Sequence, residues 1–515
     1  MTRMVRAFKQ ARMWTYYPDL LAGPVPRYTS YPTAAEFGDI DTGLYRQALG
    51  GAGGDISLYV HIPFCERICF YCGCNTAASG RRQRLETYLT ALHREIELVA
   101  ELLPDSARIA RVAFGGGSPN AIEPDDFQRL VDRLLANLHV SNPTFSIELD
   151  PRTMTREWAD VIGRVGIERA SLGVQTFSAQ CQEAIGRVQS EDCIVQTVDW
   201  LRGAGVTSLN FDLMYGLPGQ TMHDLEDSLQ RTRVLGADRV ALFGYAHVPH
   251  MVPRQRVIDG SNLPDQRERF AMAQMGYAYF ATHGYTPIGF DHFAKPGGDP
   301  LARAALDGTL RRNFQGFTDD PSDILIGLGA SAISSFPQLL AQNEKNSGRY
   351  RMLSSQGHLA AGRGIVRNPD DRYRAAVIER LLCQGRAQLG ACLMREANET
   401  LRPFLERGFW QGWERTFFKA TITPSVALIR ALRPALPAVT VNVAGWTALM
   451  AQLSAGPWAL APAFVARELK SLPTTRTVSS LVKDLANGAM QDGPAKMAAP
   501  VVIGWGRKDR LCLPQ

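Results

Sequence analysis

No run of roughly eighteen apolar residues, the length a membrane-crossing helix needs, occurs in the 515-residue chain, so no membrane span is expected. The opening stretch MTRMVRAFKQARMW carries charge but lacks the apolar centre of a secretory leader, which leaves the cytoplasm as the expected compartment. Basic and acidic side chains nearly balance, 56 against 50, for a formal charge of +6. That excess suits an anionic small substrate as well as it suits nucleic acid, so no nucleic-acid partner is read from it. Hydrophobic residues make up 45% and charged residues 21%, ordinary proportions that exclude extensive disorder. Internal repeats and low-complexity tracts are missing too. Cysteine is scarce and odd in number: nine in all, four of them crowded at Cys65, Cys69, Cys72 and Cys74. Such clustering in a Cys-poor, unexported chain favours metal chemistry over disulfides.

What is present is an alternation. Short apolar, β-branched runs at 57–63, 111–117, 145–151, 168–177, 207–218 and 238–249 alternate with helical patterns, among them Arg81 to Leu103 and Glu123 to Leu138. Continuous apolar strands separated by helices predict parallel pairing buried on both faces. Six such units predict an α/β fold with a partial (β/α)6 barrel. The strands carry their unusual residues at or just past their C-terminal ends: Cys65, Gly115 to Gly117, Glu148, Gln175, Asp212 and Ala246. Barrel enzymes place their chemistry on that rim. The expected organisation is an N-terminal arm over 1–50, the barrel over 51–335, the start of a helical region over 336–389, and a divergent tail over 390–515, α-rich with a short strand.

Cys65, Cys69 and Cys72 stand in a Cys-x3-Cys-x2-Cys spacing just after a strand. Three soft thiolates in one short loop can hold three corners of an iron–sulfur cubane and leave one iron open. The alternative is a structural zinc knuckle with Cys74 or His61 as fourth ligand, although a second Cys-x2-Cys unit is lacking.

The cysteine spacing, the aromatic Tyr71 before the third cysteine and the glycine-rich second strand resemble the radical S-adenosylmethionine enzymes. The resemblance narrows with RYTSYPTA (27–34), LYVHIPFCERICFYCGCN (58–75), GGGSP (115–119), IELDPR (147–152), LGVQTF (172–177), FDLMYGLPGQT (211–221), YAHVP (245–249), GFDHFAKP (289–296), RRNFQGFT (311–318) and GLGASAIS (327–334). Over about residues 15–388 these segments are similar to the oxygen-independent coproporphyrinogen III oxidases. The resemblance implies a 4Fe-4S cluster, two molecules of S-adenosylmethionine, and oxidative decarboxylation of two propionates of coproporphyrinogen III to give protoporphyrinogen IX. It also implies an electron donor, flavodoxin-like or another reductase, and a monomer.

By the same resemblance Cys65, Cys69 and Cys72 hold the cluster, and Cys74 is an extra, non-ligating cysteine. Tyr59, Gly116 and Glu148 match contacts to the cluster-bound S-adenosylmethionine, with Tyr59, Glu148 and Arg311 as the catalytic set. Tyr71, Gly117, Ser118, Gln175, Arg187, Asp212, Ala246 and Ile333 match contacts to the second. Tyr71 replaces the usual phenylalanine and Ser118 the common threonine; ring and hydroxyl are preserved. On residue chemistry alone Glu148 also reads as an exposed loop acid, Asp212 as a cap, and Arg187 as a surface cation. A substrate with four carboxylates calls for cations, and Arg27, Arg311, Arg312, Lys295, His247 and His292 are candidates.

The tail departs from the pattern after roughly Leu389. Five of the eight tryptophans lie beyond that point, and no histidine follows His358. APVVIGWGRKDRLCLPQ (499–515) resembles a late strand and acid loop of an α/β-hydrolase, with Asp509 as the acid, but a working triad lacks its histidine and its serine elbow. Two further readings stand beside the oxidase: a haem-binding chaperone on the same scaffold, and an inactive fusion of a truncated oxidase with a hydrolase fragment.

Overall fold

The computed structural model describes residues 14–18, 21, 30–80 and 82–387, all within the unit Met1–Ala387. Arg27 and the hydrolase-like stretch 499–515 lie outside the described residues.

The apolar runs form strands β1 (Gly54–Ile62), β2 (Ala107–Gly116), β3 (Val140–Leu149), β4 (Arg169–Gln175), β5 (Ser208–Tyr215) and β6 (Arg239–Gly244). They pair in parallel in chain order. A seventh parallel strand, β7 (Leu325–Leu328), lies on the other side of β1, with Leu325 opposite Ser57 and Leu328 opposite Val60. This strand leads into an antiparallel one and not into a helix, so it adds to the six β/α units without making a seventh. At four residues β7 is too brief for its period to be read, yet every residue in it is buried.

Beyond β7 the sheet continues antiparallel through Ile333–Ser335, Leu339–Asn343, Ala361–Val366 and Gly38–Asp39, and beyond β6 through His292–Ala294 and Thr286–Ile288. Strand order is linear, and among the described residues no ladder joins its two ends. The result is an open α/β barrel.

Helices cover the outside because their sequences dictate both start and buried face. In Pro124–Asn137, proline opens the first turn and Asp125 and Asp126 sit at the positive end of the helix dipole. Phe127, Leu130, Val131 and Leu134 then fall on one stripe and are buried. The Phe127 ring lies 4.8 Å from Phe114 of β2 and 5.0 Å from Trp158 on the next helix, Arg156–Val165. Trp158 is 2% exposed, so Trp158→Ala leaves a cavity the layer cannot close. A loss of about 3–5 kcal/mol is expected, read by urea denaturation; a loss below about 1 kcal/mol would contradict this packing.

The described part of the N-terminal arm is anchored on the helix Gln266–Thr282: Trp14 packs edge-on to Phe270, and the Tyr16 hydroxyl donates to Gln266 at 2.8 Å. No helix among the described residues is long and apolar enough to cross a membrane.

Candidate active site

Strand alternation puts Tyr59 and His61 of β1 on one face. The Tyr59 hydroxyl lies 3.1 Å from His61 Nδ1, and His61 Nε2 lies 3.4 Å from the Ser331 hydroxyl. Burial pulls the His61 imidazole down to about 4, so the ring is neutral at pH 7. On the adjacent β2, Gly116 has φ +115°, and a Cβ there would sit 2.6 Å from the His61 ring. At Gly117 a Cβ would lie 2.4 Å from the Phe64 carbonyl oxygen. Glycine is thus demanded at both positions by this chain's own backbone and by His61, in addition to any cofactor.

Glu148, at the end of β3, faces the barrel lumen and accepts from the Gly116 N–H at 3.1 Å. Its side chain opens onto the lumen and is exposed there, yet the protein around it disfavours the charge and pushes the carboxyl up to about 7; the Gly116 bond opposes this, and the charge of Asp212 adds to it. Asp212 accepts from Asn210 at 2.8 Å and Ser171 at 3.1 Å, and burial raises it too.

The loop after β1 is closed by Phe64–Cys65 pairing with Ala77–Ala78. Cys69 is buried, Cys65 and Cys72 are half-buried, and Cys74 is exposed. The Cys74 N–H donates to Cys72 Sγ at 3.4 Å. Burial, and then the charges of Cys72 and Cys69, push the Cys65 thiol up to about 12. Ionised together, the three thiols would repel one another, and a cationic centre is what holds them so. A set of soft sulfurs spread along one loop fits a multi-iron cluster.

Arg187 is not a surface cation. Its side chain is 7% exposed; Nη2 lies 3.1 Å from Asp150, Nε donates to the Gly173 carbonyl at 2.9 Å, and Nη1 reaches Cys69 Sγ at 3.4 Å. Arg152 also meets Asp150, at 2.6 Å, and Cys69 Sγ at 3.5 Å. Neither Asp150 nor Arg152 was assigned a role from sequence, although both belong to the IELDPR segment that carries Glu148. His61 was weighed only as a zinc ligand; its spacing of two from Tyr59 in a strand was the signal that joins them.

The remaining expected residues are distributed around the same rim. Gln175 takes φ +67°, and with Arg187 it closes over Gly173. Tyr71 packs in an apolar cluster with Phe70 and Leu263, and its carbonyl accepts from Gln255 at 2.9 Å, as the Ala246 carbonyl does at 3.1 Å. The Ser118 hydroxyl receives the Asp150 N–H at 3.2 Å. Ile333 opens the strand that packs on Gly327 of β7.

The substrate candidates are already engaged. Arg311 meets Asp323 at 2.7 Å and Glu379 at 3.2 Å. Arg312 stacks on Phe317 at 4.5 Å, and Lys295 lies over Tyr285 at 5.5 Å. His247 meets the Tyr245 hydroxyl at 2.9 Å and His292 meets Asp291 at 2.6 Å.

Below Glu148 the lumen opens into a polar cavity of about 170 Å³, reached by Arg111, Arg169 and Arg239 from the strands and by Gln315 and Phe317 from the hairpin 311–318. Its cations are neutralised from within: Arg111 and Arg169 each meet Asp319 at 2.8 Å, and Arg239 meets Asp299 at 2.8 Å. Burial opposes ionisation of Asp319, but the bonds from Arg111 and Arg169 hold it well below the usual carboxylate range.

The Gly329–Ile333 turn that carries Ser331 is tied down from behind. Glu95, 2% exposed, accepts from Gly329 N at 2.7 Å and from the Tyr350 hydroxyl at 2.6 Å. Burial pushes Glu95 up to about 7 from an ordinary 4.5. The folded chain therefore keeps a proton that the unfolded chain releases, and Glu95 costs stability as pH rises from 4.5 to about 7, with no further change above. The expected fall is on the order of 3 kcal/mol, measured by urea denaturation across that range; Glu95→Gln flattens it, and an unchanged slope in that variant would contradict the assignment.

A family model, the Radical SAM superfamily, matches residues 59–232. The chain is 42% identical over 379 residues to the oxygen-independent coproporphyrinogen III oxidase of Bradyrhizobium diazoefficiens, covering 73% of this chain and 84% of that protein. It is 41% identical over 364 residues to the corresponding oxidase of Paracoccus denitrificans, covering 70% and 80%. Among solved structures, the coproporphyrinogen III oxidase of Escherichia coli, described as a radical SAM enzyme, superposes with a TM-score of 0.69 at 35% identity, covering 77% of this chain and 91% of that one. With the three-cysteine loop, the glycine rim and the open α/β barrel already in place, the chain belongs to the oxygen-independent coproporphyrinogen III oxidase family of the radical SAM superfamily.

Proposed function

We propose that this chain converts two propionate side chains of coproporphyrinogen III to vinyl groups by oxidative decarboxylation, giving protoporphyrinogen IX in haem biosynthesis without oxygen. The reading includes an iron–sulfur cluster, two molecules of S-adenosylmethionine, an external one-electron reductase, and a monomer in the cytoplasm. One observation carries it: the loop that bears Cys65, Cys69 and Cys72 meets the glycine rim where Phe64 abuts Gly117, and the same rim presents Glu148, Tyr59 and His61, in a chain of this family.

When bound, cluster and S-adenosylmethionine supply a primary carbon radical able to take hydrogen from an unactivated propionate. The chain's own part is binding, orientation and exclusion of water. Cys65, Cys69 and Cys72 hold the cluster. Glu148 would accept hydrogen bonds from polar groups of the first S-adenosylmethionine, and a positive charge brought there would draw the carboxyl to its ionised form. The neutral His61 fixes the Tyr59 hydroxyl beside it. Tyr71, Gly117, Ser118, Gln175, Arg187, Asp212, Ala246 and Ile333 line the place of the second. Arg311, Arg312, Lys295, His247 and His292, with Arg27, serve the substrate carboxylates.

The test is anaerobic reconstitution with iron and sulfide, followed by mass spectrometry of the porphyrin products with dithionite as reductant. Loss of two carbon dioxide units and four hydrogens per porphyrinogen is expected, two hydrogens for each propionate that becomes a vinyl group. Haem retained in stoichiometric amount with no decarboxylated product would overturn the reading in favour of a chaperone.

A further inference from the structure

Arg187, Arg152 and Asp150 lie inside the protein, their side chains 7%, 8% and 10% exposed. Two guanidiniums and one carboxylate leave a net positive charge in a place where an unpaired charge is expensive. Both guanidiniums reach the same further atom, Cys69 Sγ, at 3.4 and 3.5 Å. Asp150 holds this arrangement from the other side: it receives Arg187 at 3.1 Å, and from Arg152 both the side chain at 2.6 Å and the backbone N–H at 3.0 Å. Asp150 is itself fixed, its N–H to Ser118 and Asn120 and its carbonyl to the Asn120 side chain at 2.9 Å. Arg187 has a separate reason to be there, as a candidate contact to S-adenosylmethionine. Arg152 has none.

We propose that Asp150 and Arg152 are positioning residues for electron uptake: Asp150 presses a second guanidinium onto the Cys69 sulfur, and the charge placed there makes the cluster easier to reduce. The inference rests on the reading of Cys65, Cys69 and Cys72 as cluster ligands. One electron passes from an external reductant, dithionite in the test, to the cluster; no bond forms or breaks, and the cluster becomes one charge more negative. Hydrogen bonds and positive charge at a ligand sulfur stabilise that added charge, and they do so strongly where water is excluded.

Two measurements on the anaerobically reconstituted full chain test it. In protein grown with ¹⁵N-arginine, hyperfine spectroscopy of the reduced cluster detects a guanidinium ¹⁵N coupling. The label separates it from the nitrogen of S-adenosylmethionine. In an EPR-monitored redox titration, Arg152→Gln is about tenfold less reduced than wild type at a fixed potential, a downward shift of about 59 mV for one electron. Arg67→Gln removes an equal charge from an exposed place on the same loop and stays within about twofold, because solvent screens it.

A cluster-bearing sample without ¹⁵N coupling overturns the proposal. So does Arg152→Gln with full iron content and wild-type potential, or an equal shift in Arg67→Gln. Should Arg152→Gln fail to hold iron, labelled Arg152→Lys takes its place: a ¹⁵N coupling unchanged from wild type, and so due to Arg187 alone, overturns the proposal. Wild type without any cluster fails the functional reading itself, and iron analysis tells that result apart.

Discussion

Replacing any one of Cys65, Cys69 and Cys72 by alanine is expected to abolish turnover, by at least roughly a thousandfold, about 4 kcal/mol in the barrier, and to strip the iron. Cys74→Ala is expected to keep its iron. The difference follows from position as much as from spacing. Cys65 is pinned by its pairing with Ala78, Cys69 is buried under two arginines, and Cys72 sits where the Cys74 N–H reaches its sulfur. Cys74 is exposed at the edge of the loop. Iron and sulfide analysis of the four variants checks this. Iron loss in Cys74→Ala equal to that in the other three would mean a four-thiol site, closer to the zinc alternative.

Gly117→Ala is expected to be nearly as damaging, although it removes no functional group. A methyl at this position meets the Phe64 carbonyl oxygen at 2.4 Å, and the Phe64 backbone nitrogen and carbonyl carbon each at 2.8 Å. Backbone cannot swing aside as a flexible side chain can. The segment that gives way is the one carrying Cys65, and a displacement of about 1 Å at a reacting centre costs on the order of a hundredfold. Turnover is therefore expected to fall by about that factor, with iron content lowered as well. Gly80→Ala, in the same loop with nothing within 4 Å of the added carbon, stays within about twofold. Equal loss in the two variants, measured by product formation per iron, would show that the loop tolerates no methyl anywhere and that the contact with Phe64 is not the cause.

Much of this site was legible because its residues are close in sequence and each follows a local rule. Buried parallel strands read as unbroken apolar runs, and the functional residues sit where such strands stop. LYVHI gave β1, and ELD at the end of β3 marked the rim. What escaped was set by contacts between distant segments. Asp150 and Arg187 are 37 residues apart, and Arg152 and Cys69 are 83 apart; no periodicity links them. Arg187 looked like a solvated cation because sequence does not reveal burial. The seventh strand escaped for the opposite reason: Leu325–Leu328 is too short to show a pattern, and only its pairing with β1 makes it a strand. Gly116 and Gly117 match contacts to S-adenosylmethionine by resemblance, and sequence alone does not show that their nearest neighbours are His61 and Phe64 of the same chain.

The most direct test of the account is reductive cleavage of S-adenosylmethionine by the reconstituted full chain, with no porphyrin present. Air-free protein carrying iron and sulfide, treated with dithionite, should yield 5′-deoxyadenosine and methionine, and the Cys69→Ala protein should yield none. Protein that carries one tightly bound zinc in place of iron, or that carries a full cluster and leaves the nucleotide intact, would contradict it.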